Sequence, residues 1–467
     1  MSLSRFATFN RMKIPFLFLI GLYAFGLSAQ DLAPESPNLR QDPLWFKYNT
    51  SYGFLSTSLD VDEKGNIYTG GTFQTGLDCI DTAYDMPPLS YRETFADFPF
   101  IQKYNEQGDL LWTVRVWGQA RLHDLKVDAE SSVYFCGEVW SSDLVFISAN
   151  GQIDSLKMIP DLRHGLYLAK LDSNGVFQQA IFDGNLPYSK ALAMALTEES
   201  EVVLAGNYMY RKEREVIRNW LLLKYDRGFQ QKWMHAGDSA GRSNLLTIDL
   251  DGRGNIYAGG AYAGHLKIDD QECNLRHETN KAFVAKWNEE GELKWLNGAI
   301  TDTTDQHAQT VVNELRVDWW HRIYFAGSIF SRLTVGKLQR DGDLAWRHRS
   351  EGRSSYAFGM EWKDRKNLLL YGHGYGSTFN SRKGAPEISY QVKGSTDFFV
   401  IEESKRGELK RVLVGGAEGT DYATALFWRK GKLYLLGHDL GGPDVVFRSQ
   451  SIESNRPVMW LACWDWE

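Results

Sequence analysis

Seven glycine-anchored strands, a tryptophan-bearing hairpin out of phase with them, and two chain ends that complete one another predict an all-β fold. The architecture is a seven-bladed β-propeller of four-stranded antiparallel blades, closed by an N-terminal strand that completes the C-terminal blade. The anchors are Gly71, Gly137, Gly206, Gly260, Gly327, Gly372 and Gly437. Each ends a turn and a run of β-prone residues, as in GNIYTGG at Gly71 and HRIYFAG at Gly327.

Four strands make one unit. The first is a short apolar strand of the form xVD, as in LDVD (Leu59–Asp62), LKVD (Leu125–Asp128) and LRVD (Leu315–Asp318). The glycine-anchored strand is the second. The third ends in a charged and aromatic pair, and after a turn the fourth carries tryptophan. FIQKYNEQGDLLW (Phe100–Trp112) and FVAKWNEEGELKW (Phe283–Trp295) show the last two together. Asn, Asp and Gly at the turns between alternating runs are a hairpin signal. Two copies lose the tryptophan, with Gln179 and Arg411 in its place. After residue 30 no helix-period segment competes.

The ends fit each other. The last unit stops at MWLACWDWE (Met459–Glu467), a third strand with no tryptophan strand behind it. DPLWFKY (Asp42–Tyr48) is that missing strand, with Trp45 placed 26 residues before Gly71 where Trp112 stands 25 before Gly137. The N-terminal strand therefore latches the ring, with Trp45 expected beside Trp464, and no sheet edge is left open.

Residues 1–29 read as an export signal: Arg5, Arg11 and Lys13, then an apolar run from Ile14 to Ala29 that is short for a membrane span. A short extension, 30–42, leads into the propeller at 43–467. Cleavage removes three cations and no acids, taking the net charge from −7 to −10. That balance argues against nucleic acid, which calls for a basic stripe. No transmembrane segment is expected in the mature chain. Cys136 and Cys463 lie within apolar strands, where a thiol acts as a small hydrophobe. Cys79 and Cys273 fall in loops of different repeats, where an oxidising compartment would allow a bridge between them, but free thiols are the expectation.

GGAEGTDYATAL (Gly415–Leu426), GNIYTGG, GNIYAGG and FIQKYNEQGDLLW resemble the bacterial β-propeller repeat often labelled SBBP, found in exported proteins. The family pattern is a GGxxxDxA lead-in, a GNxYxxG strand and a KYxxxGxxxW hairpin. The resemblance spans nearly all of the mature chain and implies a propeller and export. It implies no activity, because the motifs are structural.

With the tryptophan strand outermost and the xVD strand innermost, long connections share one face and the other carries tight hairpins. Function normally lives on the loop-bearing face of such a scaffold. There, His373 and His438 follow their anchor glycines, and Glu138 and Asn207 hold the matching position earlier. They could converge near the channel on a metal or anion, although capping of strand ends explains them as well. Tyr375, Tyr91 and Trp140 are candidate contact residues in the long connections. DVDEKGN (Asp60–Asn66) and DLDGRGN (Asp249–Asn255) have a calcium-loop look, but tight hairpins account for them. There is no GxSxG elbow, HExxH or phosphate-cradling loop.

No catalytic residue, cofactor or metal is expected. The reading is an exported, non-catalytic binding platform of the periplasm or bacterial cell surface, associated with the outer membrane. Its partner would be an envelope or surface protein, with glycan binding or cleavage as the alternative.

Overall fold

A computed structural model describes residues 41–50, 54–74, 78–79, 97–140, 143–157, 164–212, 215–238, 241–275, 279–300, 308–352, 355–384, 386–416, 418–439, 444–446, 451–453 and 457–467. The expected signal at 1–29 and Tyr91 lie outside them. Among the described residues every element is a strand. Seven antiparallel sheets follow one another in chain order, each running from an innermost xVD strand to an outermost tryptophan-type strand. Blade two is representative, with strands Ala120–Val127, Val133–Trp140, His164–Leu171 and Phe177–Asp183 side by side.

The latch forms as expected. Trp45–Thr50 pairs antiparallel with Val458–Asp465 and is the fourth strand of blade seven. Its register differs by one residue from the expected one, because Trp45 stands opposite Cys463 and not Trp464. Successive side chains of a strand face opposite ways. Trp45 therefore packs with blade one's apolar residues, and Trp464 with those of blade six.

The anchor glycines mark the place where each innermost strand carries one extra residue. In all seven blades the ladder slips at the same point: Ser56/Ser58, Leu122/Asp124, Ala191/Ala193, Leu245/Thr247, Val312/Glu314, Ala357/Gly359 and Ala423/Ala425. The first residue of each pair lies opposite an anchor glycine. Such a β-bulge bends the strand and pushes its backbone toward the partner. A Cβ at Gly71 would lie 2.6 Å from the Leu55 carbonyl oxygen, and at the other six anchors the facing carbonyl is closer still. No side chain fits there.

The apolar core is divided into seven slabs, one between each pair of neighbouring blades. Outer-strand tryptophans lock the slabs at the rim. Trp112 lays its indole on Gly175 in the next blade and donates to the Ser173 carbonyl at 3.3 Å. Trp295 repeats this on Gly342, donating to Arg340 O at 3.1 Å, and Trp45 does so on Gly108. These turn glycines have φ between +74° and +89°, where a Cβ would be strained as well as blocked by the indole. The tryptophans are interblade wedges.

Several long connections fold into short hairpins. Leu144–Ile147 and Ile153–Leu156, from the connection after Gly137, add to the outer edge of blade one, which becomes six-stranded. Leu144 and Phe146 are fully buried there, so pairing also covers an exposed edge. His265–Ile268 pairs with Gln271–Asn274, which holds Cys273, and Leu266 and Ile268 are buried. Cys136, Cys273 and Cys463 are free thiols.

Replacing Gly137 by alanine is expected to destabilise the fold by about 3 kcal/mol, since the bulged backbone must move. Gly252→Ala, whose Cβ would meet nothing within 4 Å, is expected to stay within about 0.5 kcal/mol of the parent. Urea titration followed by tryptophan fluorescence measures both.

Candidate functional site: the channel and its loop-bearing mouth

Because each innermost strand bulges, two consecutive residues of every blade turn toward the axis. Thr57, His123, Leu192, Leu246, Asn313, Phe358 and Thr424 are the extra residues, and all line the central channel. The cavity is about 570 Å³. Deeper in, the x of the xVD strand supplies Asp60, Lys126, Asp249 and Arg316, and the matching strand of blade six supplies Glu361. Asp124 and Glu314 complete the charged lining.

These carboxylates hold neighbouring blades together. Asp60 accepts from its neighbour Val61 N at 2.8 Å and, across the blade gap, from Val127 N at 2.8 Å. Asp249 does the same with Leu250 N at 3.0 Å and Val317 N at 2.7 Å. Asp124 accepts from Met194 N at 2.8 Å and from the Ser58 hydroxyl at 2.7 Å. The innermost strands have no ladder partner on the channel side, so these bonds satisfy amides that burial would otherwise leave unpaired. Arg316 reaches Glu314 at 2.6 Å and Glu361 at 3.4 Å, and Lys126 reaches Asp124 at 3.4 Å. Burial pushes the Asp60 and Asp249 carboxyls up to about 6, against the pull of Lys126 on the first and Arg316 on the second.

The four post-anchor candidates form two clusters on different sides of the ring. In blades two and three, Glu138 is 2% exposed and meets Lys190 Nζ at 2.7 Å, His164 Nε2 at 3.0 Å and His123 Nε2 at 3.3 Å. Burial raises its pKa, but hydrogen bonds from His123 and His164 and the Lys190 charge overcome that and hold the carboxyl well below its usual range. Asn207 is buried beside it and pairs with Lys190 in the ladder. Trp140 packs against His164 with the rings tilted, centroids 5.8 Å apart, and carries the Arg121 guanidinium at 5.4 Å.

In blades six and seven, His373 sits among Tyr422 at 4.6 Å, Phe358 at 4.8 Å and Tyr356 at 5.4 Å between ring centroids. His438 packs on Tyr422 at 5.1 Å, and its Nδ1 bonds the Ser56 hydroxyl of blade one at 3.1 Å. Burial, with His438 nearby, pushes His373 down to about 3, and burial pushes His438 down to about 4. Both are neutral aromatic packing groups. Tyr375 is half-buried on the same connection. Among the described residues no three His, Cys, Asp or Glu side chains are placed to hold a metal.

The two loops with a calcium-like look are hairpins. Asp62 Oδ1 accepts from Lys64 N and Asn66 N at 2.9 Å each, while Oδ2 takes Asn66 Nδ2 and Tyr68 OH. Asp251 repeats the arrangement with Arg253, Asn255 and Tyr257. Neither carboxylate is left for an ion.

Two features lie beyond the expected set. One is the charged channel. The other is on the hairpin face, where the blade-five turn exposes Trp319 (44%) and Trp320 (47%). Lys405 Nζ lies 3.7 Å from the Trp319 ring and 4.5 Å from that of Trp362, and it bonds Asp318 at 3.1 Å. The signal was present in VDWWHR, where other blades carry charged tips such as Glu63 and Lys64.

No protein-family model matches the chain, and no curated protein matches it. Among solved structures, Sqt1 from Chaetomium thermophilum is similar at TM-score 0.45 and 9% identity, over 90% of this chain and 99% of that one. A protein from Lactobacillus plantarum is similar at TM-score 0.38 and 12% identity, over 77% and 87%.

A pH dependence follows from the histidines. An unfolded histidine titrates near 6.5, so between that pH and about 3 the unfolded chain binds more protons than a folded chain with neutral His373. The stabilisation is complete above pH 6.5 and is lost as pH falls. His373→Phe removes this link, and its stability relative to the parent is expected to rise by about 2 kcal/mol between pH 7 and pH 5. Denaturation curves of both proteins at the two pH values check it.

Proposed function

We propose that this chain is an exported, non-catalytic binding platform that engages a protein partner of the cell envelope or surface through its loop-bearing face. The observation that carries the reading is the apolar rim of that face. Leu55, Tyr188, Phe330 and Phe358 are 36%, 52%, 42% and 37% exposed, from blades one, three, five and six. Phe330 is held out by a two-residue turn in which it and Ser331 both have positive φ. Exposed aromatic anchors set among polar residues are the usual carriers of protein-binding energy. The nearby polar groups are engaged internally: Glu138 by Lys190 and two histidines, His438 by Ser56. The SBBP-type motifs and the apolar N-terminal run support export.

Crosslinked pull-downs from native envelope test the proposal. The parent protein is expected to capture one partner saturably. Joint replacement of Tyr188, Phe330 and Phe358 by aspartate should weaken capture at least tenfold, while replacement of Trp319 and Trp320 should not. No partner after crosslinking, or capture that ignores the triple change, would contradict it. Binding only to a glycan array would move the assignment to carbohydrate.

A further inference from the structure

We propose that the central channel is a binding site for a linear aliphatic polyamine, whose protonated amines would be received by Asp60, Asp249 and the Tyr371 hydroxyl oxygen. Charge balance is the first ground. Five carboxylates line the cavity against two cationic side chains, Lys126 and Arg316. Both cations are committed elsewhere, Lys126 to Asp124 and Arg316 to Glu314 and Glu361. Asp60 and Asp249 bond only backbone amides, so each keeps a negative charge with no cationic side chain bonded to it.

The second ground is independent of the acids. Tyr371 is 8% exposed and lines the same cavity, and its hydroxyl has no hydrogen-bond partner among the described residues. It reaches the channel over Gly359, where any Cβ would collide with the phenol oxygen. At the position of Gly359 other blades place Asp124, Thr247 or Glu314, and at the position of Tyr371 they place residues such as Gly70, Ala205 or Gly259. The exchange of side chains between two strands puts a phenol oxygen where a strand residue would otherwise stand. A phenol whose ring is buried and whose oxygen opens on the cavity with no protein partner is free to bond a ligand there.

The shape of the lining selects the ligand class. Blade three contributes only apolar residues, Leu192 to Leu196, and blade seven adds Ala425, Leu426 and Phe427. Asp60 and Asp249 belong to blades one and four, three blades apart on a ring of seven. Charged points separated by apolar wall suit ammonium groups spaced by methylenes. They do not suit a compact metal ion, for which no three ligating side chains are grouped among the described residues.

The affinity should depend on pH. Asp60 and Asp249 titrate near 6 in an enclosure faced by Lys126, Asp124, His123, Glu314, Arg316, Glu361 and Tyr371. Acidification through that range removes the negative charges that receive the amine.

Calorimetry on the full chain with spermidine, putrescine, Mg²⁺ and Ca²⁺ at low salt tests the site. The expected result is saturable one-to-one binding of spermidine at pH 7.5, tighter than putrescine and at least tenfold weaker at pH 5. Ala195→Lys places a resident ammonium at the level of Asp60 and Asp249 without touching the bonds between blades. It should abolish spermidine binding with no fall in melting temperature. Tyr371→Phe should weaken binding about threefold or more and keeps the proposal testable if the lysine variant does not fold. Absence of saturable heat, equal affinity for the divalent ions, or spermidine binding unchanged in the folded variants would overturn it.

Discussion

The contact between a bulged inner strand and a glycine of the second strand sets the geometry of everything else. The extra residue drives a carbonyl oxygen to where a Cβ would stand, and only glycine leaves the space. The bulge tightens the bend of each inner strand and turns two adjacent side chains toward the axis. A regular strand would turn only every second one. The anchor glycines and the crowded, charged channel are two consequences of one backbone feature.

The wheel separates its apolar and polar interactions by radius. Between blades the contacts are apolar slabs, wedged at the rim by Trp45, Trp112, Trp233 and Trp295 on turn glycines of the next blade. At the axis, where the innermost strands would leave amides unpaired, Asp60, Asp124 and Asp249 accept from the following blade. Burying a carboxylate is unfavourable unless it is hydrogen-bonded, which these are. Burial still raises the Asp60 and Asp249 pKa values, since no cationic side chain bonds either carboxylate. The acidity of the channel is a by-product of how the blades are joined, and it makes the axis attractive to a cation.

The fold was legible because its strongest constraints are local. A glycine that cannot be replaced recurs at every unit, and DPLWFKY and MWLACWDWE are each half of a hairpin. The latch register was not legible, since one residue of slip leaves the same apolar pattern in both strands and only packing on blades one and six decides it. The added pair of strands on blade one was hidden for a similar reason. Leu144–Ile147 finds its partner in the preceding blade, not in its own.

The site was less legible. His373 and His438 stood out by position, but their neutrality comes from Tyr356, Phe358 and Tyr422, which are remote in sequence from at least one of the pair. Asp60, Lys126, Asp249 and Arg316 were in plain view as the x of xVD. Nothing in the spacing reveals the extra residue that crowds them around one axis. Tyr371 and Gly359 acquire meaning only as a pair, once their strands are side by side.

The bulge is tested most directly by cysteine scanning of one innermost strand in a background without native cysteines, read by a small thiol reagent. In blade five the account predicts that cysteines at Asn313 and Glu314, which are consecutive, both react, while those at Val312 and Leu315 do not. Alternating reactivity along 312–315, as an unbulged strand would give, would contradict it.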